Sequence, residues 1–165
     1  MEAGGTVVAL DTATLLAYHL GLPVASALVE KTADGKDKPL GLEKYFVPGS
    51  LLRAEVDTTH PLACGLPDAV DVFVDNTPAF LLLPDAALRG VRPVVWFGSG
   101  HLLRSGWAWG EQYLWRTVQV AEAAVGKGKL LLYGPEIAFR GQPHGTFKLL
   151  FNGIYYGTAE TIELK

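Results

Sequence analysis

Asp11 is the first residue whose type and place could carry chemistry. It ends the apolar run Thr6–Leu10 and opens the stretch Thr12-Ala13-Thr14-Leu15, a pattern that reads strand, sharp bend, helix. A carboxylate held up on such a bend serves as nucleophile in some hydrolases. The competing use is an N-cap, with Asp11 or Thr12 accepting from the first helix amides, and capping preference favours it. Cys64 is the only cysteine, so the chain by itself holds neither an internal disulfide nor a multi-thiolate metal site. With His60 four residues before it, Cys64 would make a thiolate–imidazole dyad if a helix joined them. Pro61 and Gly65 frame the stretch as a turn instead, and a lone cysteine is more often a small buried apolar residue.

Other chemistries lack their spacing. The four histidines, His19, His60, His101 and His144, are far apart and form no His-Glu-x-x-His pattern, so no metal site is expected. Gly126–Lys129 precedes an apolar run rather than a helix, and no Ser or Thr follows the lysine, which excludes a phosphate loop. Asp11-Thr12-Ala13 stands where a dinucleotide fold would need glycines. Gly98-Ser99-Gly100 and Ser105-Gly106 lack the spacing of a serine elbow. Trp96, Trp107, Trp109 and Trp115, with Tyr113, form an aromatic cluster beside Gly-rich turns. Its ordinary use is core packing; exposed, it would stack on sugars or peptide side chains.

The elements that must position these residues follow from apolar patterning. Thr6–Leu10 reads as a buried parallel strand, flanked by others, and Ala13 to about Leu20 as a helix stopped by Gly21 and Pro23. Leu22–Val29 is a second strand candidate, and Lys31–Lys38 an exposed loop around Asp34-Gly35. Tyr45–Val47 and Leu51–Val56 flank the Pro48-Gly49 turn, and Asp57–Pro67 is a turn with about one helical turn in it. Val70–Val74 and Phe80–Leu83 suggest a strand pair joined through Asp75–Pro78. Val94–Phe97 is a short strand, Glu111–Trp115 a brief helix, and Val118–Ala124 alternates weakly. Lys129–Tyr133 is a buried strand, and His144–Tyr156 an amphipathic helix with Phe147, Leu150, Phe151, Ile154 and Tyr155 on its apolar face. These predict one α/β domain over residues 1–165 with an antiparallel excursion.

Composition bounds the partners. At 165 residues, 49% hydrophobic and 19% charged, the chain has enough apolar side chains for a packed core. A net charge of −3 with scattered Lys and Arg excludes a nucleic-acid interface, and no apolar run approaches the about 20 residues of a membrane span. Thr6–Leu10 is too short, and lacks a basic leader, to be a signal peptide.

Several stretches carry a family likeness: Glu2–Leu10, Phe46–Arg53, His60-Pro61-Leu62-Ala63, Ser105-Gly106-Trp107, Gly134-Pro135-Glu136 and, most specifically, Phe139–Asn152. Together they resemble the C-terminal class I glutamine amidotransferase-like domain of bacterial M14-family zinc carboxypeptidase-like proteins, over nearly the whole chain. The resemblance implies a flavodoxin-like three-layer sandwich, possessed here only in its later part, with a zinc carboxypeptidase-like domain or chain as partner and often an exported parent. In that fold a cysteine stands at the elbow and the last strand ends in His-Pro-Glu. Asp11 and Gly134 stand at those positions here, and Glu136 alone remains of the triad. The expectation is a noncatalytic accessory module without metal or cofactor, its pocket near Asp11, Thr12, Glu136, Arg140 and His144, where Arg140 would hold a carboxylate. The rivals are a hydrolase using Asp11 or Cys64/His60 and a carbohydrate-binding module using the tryptophans. With early strands missing, an uncovered sheet edge predicts a homodimer.

Overall fold

The computed structural model describes residues 1–159. In chain order the strands are β1 (Thr6–Leu10), β2 (Val24–Ser26), β3 (Val29–Lys31), β4 (Asp37–Pro39), β5 (Ser50–Val56), β6 (Ala69–Val74), β7 (Phe80–Leu82), β8 (Val91–Trp96), β9 (Leu103–Ser105), β10 (Val118–Val125) and β11 (Gly128–Tyr133). The helices are α1 (Leu16–His19) and α2 (Phe147–Gly157), and short 3-10 turns occupy Asp11–Leu15, Pro61–Ala63, Glu111–Leu114, Phe139–Gly141 and His144–Thr146.

One sheet dominates, in the order β1-β11-β10-β8-β5-β6, with β9 added to β5 and the β2–β7 pair joined to β10. Among the described residues only β1 and β11 run parallel, in register from Thr6 opposite Lys129 to Leu10 opposite Tyr133. The remaining pairs are antiparallel. The sheet curls until the chain leaving β11 reaches β6: Glu136 N–H donates to Phe73 O at 3.2 Å, and the Phe139 and Phe73 rings stack with centroids 4.4 Å apart. Alternation along each strand divides the core. Ala9, Leu130 and Leu132 pack with Ala17 and Phe80 on one face; Leu131 and Tyr133 pack with Leu149, Val120 and Ile137 on the other. Near β1 and β11 the two helices therefore cover opposite faces. Elsewhere the sheet covers itself by curling, so the fold is mixed α/β with a curled sheet and few helices.

Several local expectations change. Among the described residues β1 is an edge strand rather than an inner one, and Val7 is 36% exposed. β6 and β7 both form but do not pair with each other, because β6 folds back on β5 while β7 lies against β2 and β10. The charged stretch expected as a loop, Lys31–Lys38, joins and partly forms the small hairpin β3–β4, and among the described residues Tyr45–Val47 makes one bridge, Phe46 to Trp109. The first helix begins as a 3-10 turn and ends at His19.

The final helix forms where its periodicity predicts but docks by another face. Phe151, Ile154 and Tyr155 are more than half exposed, while Leu149 and Gly153 are buried. Close approach decides this. A Cβ at Gly153 would overlap Tyr133 Oη, so the missing side chain lets α2 lie directly on β11. Polar bonds then lock the contact: Tyr133 O–H donates to Leu149 O at 2.9 Å, Thr6 Oγ1 to Gly157 O at 2.6 Å, and Asn152 Nδ2 to Leu62 O and Cys64 O, each at 2.9 Å. Hydrogen bonds and small-residue contact decide the docked face, and Phe151, Ile154 and Tyr155 of the bulkier stripe stay largely in solvent.

Candidate functional site

Because β1 and β11 are parallel neighbours, their carboxyl ends open at one edge of the sheet. There Leu10, Asp11, Glu136, Ala138, Phe139 and Arg140 line an open depression of about 420 Å³. Asp11 turns off β1 with φ of 49°, and Arg140 has φ of 48°, both in the left-handed region. Each such non-glycine backbone costs about 1 kcal/mol and persists only where the surroundings hold it. At Asp11 the holding contact is Thr14, a buried residue whose Oγ1 donates to Asp11 O. The expected N-cap is not made: Leu10 occupies the cap position, and no side chain accepts from the turn's amides.

Three of the five proposed pocket residues, Asp11, Glu136 and Arg140, share this depression. Thr12 is exposed and does not line it. His144 is exposed, with Nε2 3.0 Å from Gly141 O and its ring 5.1 Å from Phe147, and it stands outside. Burial raises the Glu136 carboxyl above its usual range, Asp11 and Asp75 raise it further, and Arg140 opposes them. The Arg140 guanidinium lies over the Phe139 ring, 4.9 Å from its centroid, and Phe139 is itself stacked on Phe73. Phe139 holds no site role in the sequence reading, because its stacking on Phe73 joins segments distant in the chain, for which sequence spacing carries no signal. Thr14 acts locally, its hydroxyl bonding back to Asp11 within one turn.

Position 134 is closed to any side chain. A Cβ there would stand 2.7 Å from Pro78 O, and Gly134 N–H donates to Gln119 O at 2.8 Å. The glycine where the resemblance expects an imidazole is thus required by the crossing of two backbones.

The Cys64/His60 pair is not assembled as a dyad. His60 is buried, its Nδ1 accepts from Leu62 N–H at 3.2 Å, and its Nε2 lies 3.1 Å from Glu122 Oε2. Both ring nitrogens are occupied, so neither offers a lone pair to a thiol. Cys64 is exposed, contrary to the small-apolar expectation. Tyr156 O–H donates to Glu122 Oε1 at 3.3 Å. Burial pushes the Glu122 carboxyl up, but the contacts with His60 and Tyr156 together hold it below its usual range.

The tryptophans are more open than core packing predicts. Trp107, Trp109 and Trp115 are 60%, 53% and 43% exposed. Trp109 Nε1 donates to Glu43 O and Trp115 Nε1 to Gly100 O, each at 2.8 Å, which fixes the rings. Trp107 and Trp109 lie in the loop after β9, where Trp109 bridges to Phe46. Among the described residues no group of three or more His, Cys, Asp or Glu is placed to hold a metal ion, and no helix is long and apolar enough to cross a membrane.

No protein-family model matches the chain, and no curated protein matches it. Among solved structures it is similar to a ThuA-like protein from Bacteroides uniformis, with a TM-score of 0.51 and 15% identity. The match covers 97% of this chain and 61% of that one, so the chain spans less than two thirds of its neighbour's length. This corrects the expected association with M14-family zinc carboxypeptidases, because ThuA-like proteins are a different class I glutamine amidotransferase-like family. What the likeness shows is a fold alone: mixed α/β, consistent with a flavodoxin-like arrangement.

Proposed function

We propose that the chain is a noncatalytic binding module on an amidotransferase-like fold, which takes a small carboxylate-bearing ligand in the depression at the ends of β1 and β11. The observation that carries this reading is Arg140, spread over Phe139 on the depression's rim and joined to no carboxylate among the described residues. A planar guanidinium so placed offers two parallel donors to a ligand carboxylate. Asp11 and Glu136 beside it accept from hydroxyl or amine donors of the same ligand. The noncatalytic part is supported by Asp11 at the bend, by the closed position at Gly134, and by the occupied imidazole of His60.

The test is a thermal-shift and calorimetry panel of small di- and tricarboxylates on the chain and on Arg140→Gln. Stabilisation by at least one carboxylate, lost in the variant with its unliganded melting temperature intact, is the expected result. Glutamine or ester turnover by the purified chain, abolished by Asp11→Asn, overturns the noncatalytic reading.

A second reading, a carbohydrate platform, is favoured by the exposed Trp107, Trp109 and Trp115, two of them with anchored indoles. Tryptophan fluorescence titrated with oligosaccharides decides it; an unchanged spectrum rejects it.

A further inference from the structure

β1 is the edge strand at one end of the sheet. Lys129 N–H donates to Gly5 O at 3.1 Å, and a parallel ladder alternates, so Gly5, Val7 and Ala9 turn their main chain toward β11. Thr6 and Val8 then turn N–H and C=O outward, and no described residue bonds to them; Leu10 turns its N–H outward, while its C=O opens the 3-10 turn that follows. Such an edge is ordinarily guarded by a charge, a proline, a bulge or a covering segment. Thr6-Val7-Val8-Ala9-Leu10 has no charge and no proline. The opposite edge, β6, is guarded: Asp71 lies 3.3 Å from Arg53 and 3.7 Å from Arg104, and the chain after β11 bonds to Phe73.

The two ends of β1 differ in charge. At its start stand Lys127 and Lys129 against Glu2. At its finish stand Asp11, Glu136 and Asp75 against Arg140. A neighbour laid antiparallel along this edge meets each end with the opposite sign; one laid parallel meets like with like. The flanks are apolar, with Val7 36% and Ile154 54% exposed, the latter lining the same cleft as Thr6 and Val8.

From the open edge and its reversed charges we infer that the occupant is a second copy of this chain, paired β1 to β1 about a two-fold axis at Val8. Val8 stands opposite Val8, and Thr6 opposite Leu10, which closes about four main-chain hydrogen bonds. The interface uses one patch on both copies, as a two-fold requires, and the inference does not depend on any ligand at the depression.

Sedimentation equilibrium over a concentration series tests it. The chain is expected to reach twice its 17.7 kDa mass, with association weakened by added salt. Val8→Pro removes an outward N–H while sparing the ladder to β11, a position where an edge strand accepts proline. It is expected to weaken association by at least about tenfold, or about 1.4 kcal/mol, with an unchanged circular dichroism spectrum. Val7→Lys, at a partly exposed site, should do the same and decides the matter if the proline variant does not fold. A wild-type chain monomeric at every concentration overturns the inference, including the case where exchange-protected Thr6, Val8 and Leu10 amides show the edge covered by this chain itself. A dimer indifferent to both substitutions overturns it too.

Discussion

Gly153→Ala puts the docking of α2 to a quantitative test. In an exposed helix the change would stabilise by about 1 kcal/mol, because alanine is the better helix former. Here the new Cβ overlaps Tyr133 Oη and stands 3.3 Å from Leu131 Cδ1. Tyr133 and Leu131 are both fully buried, so neither has room to retreat. Overpacking of this kind costs about 1–3 kcal/mol. Displacing the Tyr133 hydroxyl from Leu149 O adds about 1–3 kcal/mol for a buried polar group left unpaired. The steric and hydrogen-bond terms exceed the propensity gain, leaving a net loss of about 3 kcal/mol. For a chain of this size that lowers the melting temperature by about 6–12 °C. Urea denaturation followed by circular dichroism, in wild type, Gly153→Ala, Tyr133→Phe and the double variant, checks the cause as well as the size. Removing the hydroxyl should restore about 1 kcal/mol to the alanine variant, a coupling that independent sites would not show. A Gly153→Ala chain as stable as wild type, or more so, would refute the close-packing account.

Two carboxylates should give opposite pH behaviour. The Glu122 carboxyl is lowered in the fold, so its stabilising contribution is present above its ordinary value of 4.5 and is lost as pH falls below it. Urea midpoints at pH 7 and pH 3.5 should therefore fall further in wild type than in Glu122→Gln. Glu136 is raised, so its charged form is disfavoured by folding, and the stability it contributes below 4.5 is lost as pH rises through its higher folded value. Glu136→Gln should then be more stable than wild type at pH 7, with the gain gone at pH 3.5; a loss at pH 7 contradicts the burial and repulsion described. Asn152→Ala removes both bonds from α2 to the segment around Cys64 and should cost about 1–2 kcal/mol in the same denaturation assay.

How far the residues alone could be read depends on whether the signal was local. Thr6–Leu10, Lys129–Tyr133 and the final helix were found because apolar runs and periodicity are properties of consecutive residues. The bend at Asp11 was found for the same reason, as was the single helical turn after His60. Pairing was not legible: β6 and β7 are consecutive and joined by turn residues, yet each bonds elsewhere. The apolar stripe of α2 also misled. Amphipathic periodicity measures which face would rather be dry, whereas Gly153 and Asn152 determine which face can come close.

The sequence by itself determined the mixed α/β class, the strand Thr6–Leu10 and the bend at Asp11, while Glu136 and Arg140 became candidates through the family resemblance. It also determined that the chain carries a single thiol. Only the tertiary structure decided that those three candidates meet while Thr12 and His144 stay apart. Only there is His60 matched with Glu122 rather than Cys64, the tryptophans left open, and position 134 closed to side chains. The physical reason is that steric exclusion and hydrogen-bond pairing join segments distant in the chain, and their geometry exists only once the sheet has curled.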